Sequence, residues 1–192
     1  GTQMVEVKTS ELVSDQVLAR LTRTFDIRAV RRLSPVLPVL SRRNIRLPFT
    51  TCGEMLGCDA GRNTPLWKLA AEYEMARGGF TEAEVIARMV DIVRLLRRSI
   101  AQGIAGTRYE DRVLGHQSGR FDDRMKAGRL LGGGVLNRIV LYVTALMEIK
   151  GAMGVIVAAP TAGACAALPG AVIAVGEELG LGEMEMAKAM LA

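Results

Sequence analysis

The residues best equipped for chemistry fall in two places. His116, the only histidine, stands beside Gln117 and Ser118, with Asp122 and Asp123 close behind. A histidine, a serine and an acid are the ingredients of a nucleophilic triad, but the triad depends on spatial geometry that sequence adjacency does not supply. These groups lie in residues 107–134, a polar, glycine-rich segment read as a long loop, where functional side chains tend to collect. The second place is residues 151–170, an apolar run of small residues punctuated by Gly151, Gly154, Pro160, Gly163, Pro169 and Gly170. Pro160 and Pro169 are each expected to break or restart a helix, and Gly163 permits a turn that other residues resist. A turn of small residues opening onto a helix presents backbone N–H groups suited to a carboxylate or phosphate. Its alternative is a tightly packed interior helix–turn–helix without a ligand.

The cysteines, Cys52, Cys58 and Cys165, offer little for a metal. Three cysteines and one histidine match no standard spacing of a closed zinc site. An odd number of thiols, far apart and without a secretory signal pattern, suggests a reducing compartment, and the cytoplasm is the expected location. No charge occurs from residue 151 to residue 175, a length able to span a bilayer. That run is Gly/Ala-rich and interrupted by two prolines, so it reads as buried core and no membrane association is expected.

The elements that must position these groups are helical. Nearly half of the 192 residues are apolar and few are aromatic, a balance that favours helices packed through small residues over a β-sandwich. The expected fold is all-α, with the Gly/Pro-interrupted helix–turn–helix buried at its centre. A formal charge of +5, with acids interspersed, does not imply nucleic acid. Residues 10–25 carry Leu12, Val13, Val17, Leu18 and Leu21 near helical spacing. Residues 27–53 contain no acid but six arginines and three prolines, which suits a solvated linker, an arm for an acidic partner, or a nucleic-acid contact. Nucleic acid ranks last because no interleaved aromatics accompany the arginines. Residues 1–50 are therefore expected to form a basic, proline-containing arm or linker, and residues 51–192 a helical domain.

Within that domain, Thr64–Pro65 is expected to open a helix and Gly78–Gly79 to close it. Thr81 and Glu84 form a capping box for the next helix, which is expected to bury Val85, Met89, Ile92, Val93, Leu96 and Ile100 and to end at Gly103 and Gly106. A helix over residues 135–150 is expected to bury Val135, Leu136, Ile139, Val140, Val143, Leu146 and Met147. After Pro169 another helix runs to about residue 179, and an amphipathic piece over residues 183–192 ends without a cap. Its Met184, Met186, Met190 and Leu191 suggest either a longer chain or a covering partner.

Leu131-Gly-Gly-Gly-Val-Leu-Asn-Arg, Ala145-Leu-Met-Glu-Ile-Lys and Met153-Gly-Val-Ile-Val-Ala-Ala-Pro-Thr-Ala-Gly-Ala-Cys-Ala-Ala-Leu-Pro-Gly together resemble the α chain, or α domain, of iron–sulfur-dependent L-serine dehydratases. The resemblance runs from about residue 64 to residue 192. It implies a helical α domain and a lyase that converts L-serine to pyruvate and ammonia. It also implies a [4Fe-4S] cluster held by three cysteines, a β domain or β subunit, and an oligomer. The cluster cysteines of the family sit in Gly-Cys-Gln and Val-Pro-Cys motifs beyond the signature. Cys52, Cys58 and Cys165 match neither, so the cluster is expected to be absent from this chain and its C-terminal part to be missing. Pro160, Thr161, Ala162 and Gly163 are expected to line the substrate site, with His116 and Ser118 approaching it. The alternative is a non-catalytic helical partner or pseudoenzyme burying Met184, Met186 and Met190 against another chain.

Overall fold

The computed structural model describes residues 4–7, 9, 13–30, 44–110, 112–159, 161 and 163–192. Among the described residues every regular element is an α-helix. The chain divides into two compact units, Gly1–Leu33 and Ser34–Ala192.

The first unit holds α1, Asp15–Thr24, whose cap Ser14 accepts from the Val17 N–H at 3.4 Å. None of its residues is buried. The expectation of a helix over residues 10–25 is thus met from Asp15; residues 10–12 lie outside the described residues.

The second unit contains α2 (Cys52–Asp59), α3 (Leu66–Gly78), α4 (Glu82–Ala105), α5 (Ser118–Lys126), α6 (Val135–Gly151), α7 (Ala164–Glu178) and α8 (Glu183–Leu191). The boundaries follow local chemistry. Thr51 and Glu54 make a capping box for α2. Pro65 itself caps α3, one position later than expected. Thr64 is held elsewhere: its N–H and that of Asn63 each donate to the Asp59 carboxylate at 3.0 Å. Gly79, at φ +70°, ends α3 by donating its N–H to the Met75 carbonyl. The capping box of α4 is present in full: Thr81 Oγ1 accepts from the Glu84 N–H at 3.2 Å, and Glu84 accepts from the Thr81 N–H at 2.8 Å. Thr81→Ala should therefore cost about 1 kcal/mol, readable in urea unfolding, while leaving the helix in place. A stability equal to that of the unaltered protein would mean that water replaces the cap without loss.

The core joins three helices. Leu96 and Ile100 of α4, Ala145 and Leu146 of α6, and Ala166 and Ile173 of α7 form one buried cluster. Val93 packs separately with Met186 and Ala187 of α8. Met186 is only 2% exposed against its own chain, so the expectation that it waits for another chain is corrected; Met190 also packs inward, while Met184 is half exposed. Two arginines of α4 are paired: Arg94 reaches Glu183 at 2.8 Å and Arg97 reaches Glu177 at 2.9 Å. The Tyr142 hydroxyl donates to Glu177 at 2.5 Å; burial first, then this bond, pushes the phenol up to about 12.

Three further expectations are corrected. Gly103 does not end α4; it lies buried inside it, and a Cβ there would come within 2.2 Å of the Ala145 carbonyl oxygen. The missing side chain is what lets α4 and α6 touch by backbone. Pro169 does not restart a helix but sits inside α7, buried. It forgoes a single backbone bond, the one to Cys165, and Gly170 beside it lets α7 close on Val143 of α6. On α6 the buried set is Leu141, Ala145, Leu146 and Ile149, whereas Leu136, Val140 and Met147 are substantially exposed.

Candidate active site

The 151–170 stretch is the end of α6, a connection over residues 152–163, and the start of α7. At its beginning Met153 takes a left-handed φ of +58°, and the Gly154 N–H donates to the Ile149 carbonyl at 2.8 Å, turning the chain back on its helix. Ser99, buried on α4, donates its hydroxyl to the Val155 carbonyl at 2.8 Å and fastens the connection to the core. Thr161 is exposed, and its Oγ1 accepts from the Ala164 N–H at 3.2 Å. Gly163 caps α7, its carbonyl accepting from the Ala166 and Ala167 N–H groups. Pro160 and Ala162 lie outside the described residues. Lys150 Nζ stands 3.8 Å from Cys165 Sγ, so a cation and a thiol meet where α6 hands over to α7.

His116 occupies a different setting. Its Nε2 lies 2.9 Å from the Gly103 carbonyl and 3.0 Å from Ser118 Oγ, and the Gly119 N–H points at the same nitrogen from 3.2 Å. The ring fits into a glycine cradle: a Cβ on Gly119 would fall 2.5 Å from its Cε1, and one on Gly106 3.2 Å. Ser118 is fully buried and gives its hydroxyl hydrogen to the Gly103 carbonyl at 2.7 Å. The nearer acid, Asp122, pairs instead with Lys126 at 2.6 Å. His116 and Ser118 therefore meet, but no triad is assembled among the described residues. Their hydrogen bonds run to the Gly103 carbonyl near the end of α4 and not to Thr161 or Gly163.

A third group was not visible as a site in the sequence. Glu148, in the last turn of α6, is 9% exposed. Its Oε1 accepts from Thr107 Oγ1 at 2.5 Å and from Arg112 Nη2. Arg112 also donates to the Thr107 carbonyl at 2.8 Å and lies 4.5 Å over the Tyr109 ring. Burial pushes the Glu148 carboxyl up, but the bonds from Arg112 and Thr107 and the nearby charges of Arg112 and His116 outweigh it. The carboxyl ends below its ordinary value and is ionised at neutral pH. The available signal was a lone acid in an otherwise apolar helical run, since a buried carboxylate demands a partner.

The cysteines do not fit an iron–sulfur cluster. Cys52 and Cys58 are exposed on α2, Cys58 donating to the Pro48 carbonyl at 2.9 Å, while Cys165 is buried at the start of α7. Among the described residues no three metal-ligating side chains converge. No helix of the described residues is long and apolar enough to cross a membrane.

An all-helical domain whose charge-free turn joins two core helices defines the class, and the comparisons define the family. The chain belongs to the serine dehydratase alpha chain family, which matches residues 61–192. A protein of Bacillus subtilis (strain 168), described as a probable L-serine dehydratase, alpha chain, is 26% identical over 111 residues, covering 58% of this chain. The matched segment spans 36% of the length of that curated relative. No solved structure matches the chain.

Proposed function

We propose that this chain forms part of a lyase that converts L-serine to pyruvate and ammonia. Loss of the α-proton and the β-hydroxyl as water leaves aminoacrylate, whose hydrolysis gives the two products. The family match over residues 61–192 carries this reading, because it covers both the His116 loop and the 151–170 stretch. In this reading Pro160, Thr161, Ala162 and Gly163 line the substrate site, and the N-terminus of α7 offers positive dipole to the substrate carboxylate. His116 and Ser118 border the same site. A [4Fe-4S] cluster, if the enzyme carries one, is held by residues other than Cys52, Cys58 and Cys165. A β domain or β subunit completes the enzyme as an oligomer, and three reduced thiols suit the cytoplasm.

The test is pyruvate formation from L-serine by the enzyme purified anaerobically from its native source with the chains that accompany it. Thr161→Ala in that enzyme should lower kcat/KM about tenfold, the equivalent of roughly 1.4 kcal/mol of transition-state stabilisation, the scale of one hydrogen bond at the substrate. Unchanged kinetics would remove Thr161 from the site, and no pyruvate at all would remove the lyase reading.

The scatter of Cys52, Cys58 and Cys165 favours a second reading, a non-catalytic helical partner or pseudoenzyme. Stoichiometric iron bound to the chain after anaerobic reconstitution would count against it.

A further inference from the structure

We infer that Glu148 is a positioning residue: with Thr107 and Arg112 it fastens the connection over residues 106–117 to the last turn of α6, and so holds the His116 ring at the end of α4. Glu148 is the only acid of α6, and the helix beside it buries Ala145, Leu146 and Ile149. Were cohesion the only need, an apolar side chain at 148 would serve as well, because burying an ion pair rarely adds net stability. What the charged pair supplies is direction. The Thr107 hydroxyl and the Arg112 guanidinium converge on one oxygen, Oε1, and Arg112 binds the Thr107 carbonyl in addition. This sets the backbone at 107 and at 112 against the same point on α6.

The other tie before His116 is Tyr109, whose hydroxyl lies against Gly151 at the end of the same helix; the described residues of the stretch form no helix, and Val113 and Leu114 are largely exposed. Beyond the fastening, the chain meets the fold again at His116, whose ring is seated between Gly106 and Gly119 and against the Gly103 carbonyl. The chain is thus held at the end of α6 and again at His116, and the first hold sets the approach to the second. The consequence for catalysis rests on the dehydratase reading; the consequence for the ring does not.

His116 is the only histidine in the chain, so its Cε1–H proton resonance needs no assignment. It is read at one fixed pH above the ordinary histidine range, with far-UV circular dichroism confirming helix content. Glu148→Ala and the loop-side double variant Thr107→Val/Arg112→Ala should both move the resonance toward the position of free imidazole. Glu148→Gln, which keeps an oxygen for the same donors, should move it less. In the native enzyme the two disrupting changes should lower kcat by about 10- to 100-fold, the scale of an ångström-sized misplacement. A resonance that stays in place in both overturns the inference. Should Glu148→Ala fail to fold, the loop-side variant, which alters no helical residue, decides alone. A resonance that moves while kcat does not sustains the positioning role and takes His116 out of the reaction.

Discussion

Gly103→Ala should destabilise the chain by about 2–3 kcal/mol and lower Tm by about 5–10 °C, although alanine is the better helix former. The added Cβ would stand 2.2 Å from the Ala145 carbonyl oxygen and 2.7 Å from its carbon, and both are backbone atoms that no rotamer change can move. The two helices must separate, loosening the cluster of Leu96, Ile100, Ala145 and Leu146. Against that stands a gain of at most about 1 kcal/mol from replacing a helical glycine. The change reaches the His116 site as well, since the Gly103 carbonyl faces both His116 Nε2 and Ser118 Oγ. Gly115→Ala is the matched control, because a Cβ there meets nothing within 4 Å. Urea unfolding of the two variants side by side reads the difference; equal midpoints would mean that the α4–α6 contact is looser than drawn.

Much of the fold was legible wherever a local rule acts alone. The capping box at Thr81 and Glu84 and the paired glycines at 78 and 79 fix their ends by bonds within a few residues, and the structure has both. Legibility failed where a tertiary contact overrides the local rule. Gly103 resembles a stop signal, but its real task is to admit the Ala145 backbone. Pro169 resembles a break, yet burial against α6 keeps the helix going through it. The segment read as a long loop hides α5, whose sequence is polar enough to mask Phe121 and the Asp122–Lys126 pair one turn apart. The capping box of α2 at Thr51 and Glu54 obeys the same local rule and is equally legible in the sequence.

The candidate site divides the same way. Composition alone pointed to residues 151–170, because a long charge-free run of small residues is rare. His116 and Ser118, two residues apart, meet at 3.0 Å between side-chain atoms, a contact that adjacency alone does not establish. The Thr107–Arg112–Glu148 group was out of reach, since it joins residues 36 and 41 positions apart in sequence. Only the close packing of α4 on α6, made possible by Gly103, brings them together.

The same reasoning separates two neighbours on α6. Both Leu146 and Met147 were expected in the core, because the helix is apolar on nearly every side and its periodicity alone does not select a face. The structure selects one: Leu146 is 0% exposed and Met147 is 44% exposed. Gly103 of α4 receives the backbone at Ala145, and Gly170 of α7 receives Val143. These two close approaches fix the rotation of α6 about its axis and turn Leu136, Val140 and Met147 outward. Leu146→Ala should accordingly cost about 3 kcal/mol, the lost transfer energy plus that of the cavity left among Leu96, Ile100 and Ile173. Met147→Ala should stay within about 0.5 kcal/mol of the unaltered protein, since alanine suits an exposed helical position. Chemical unfolding of the two variants measures both, with unchanged m-values as the check that the denatured state is shared. Equal losses at the two positions would mean that α6 is rotated from the orientation the two glycines set.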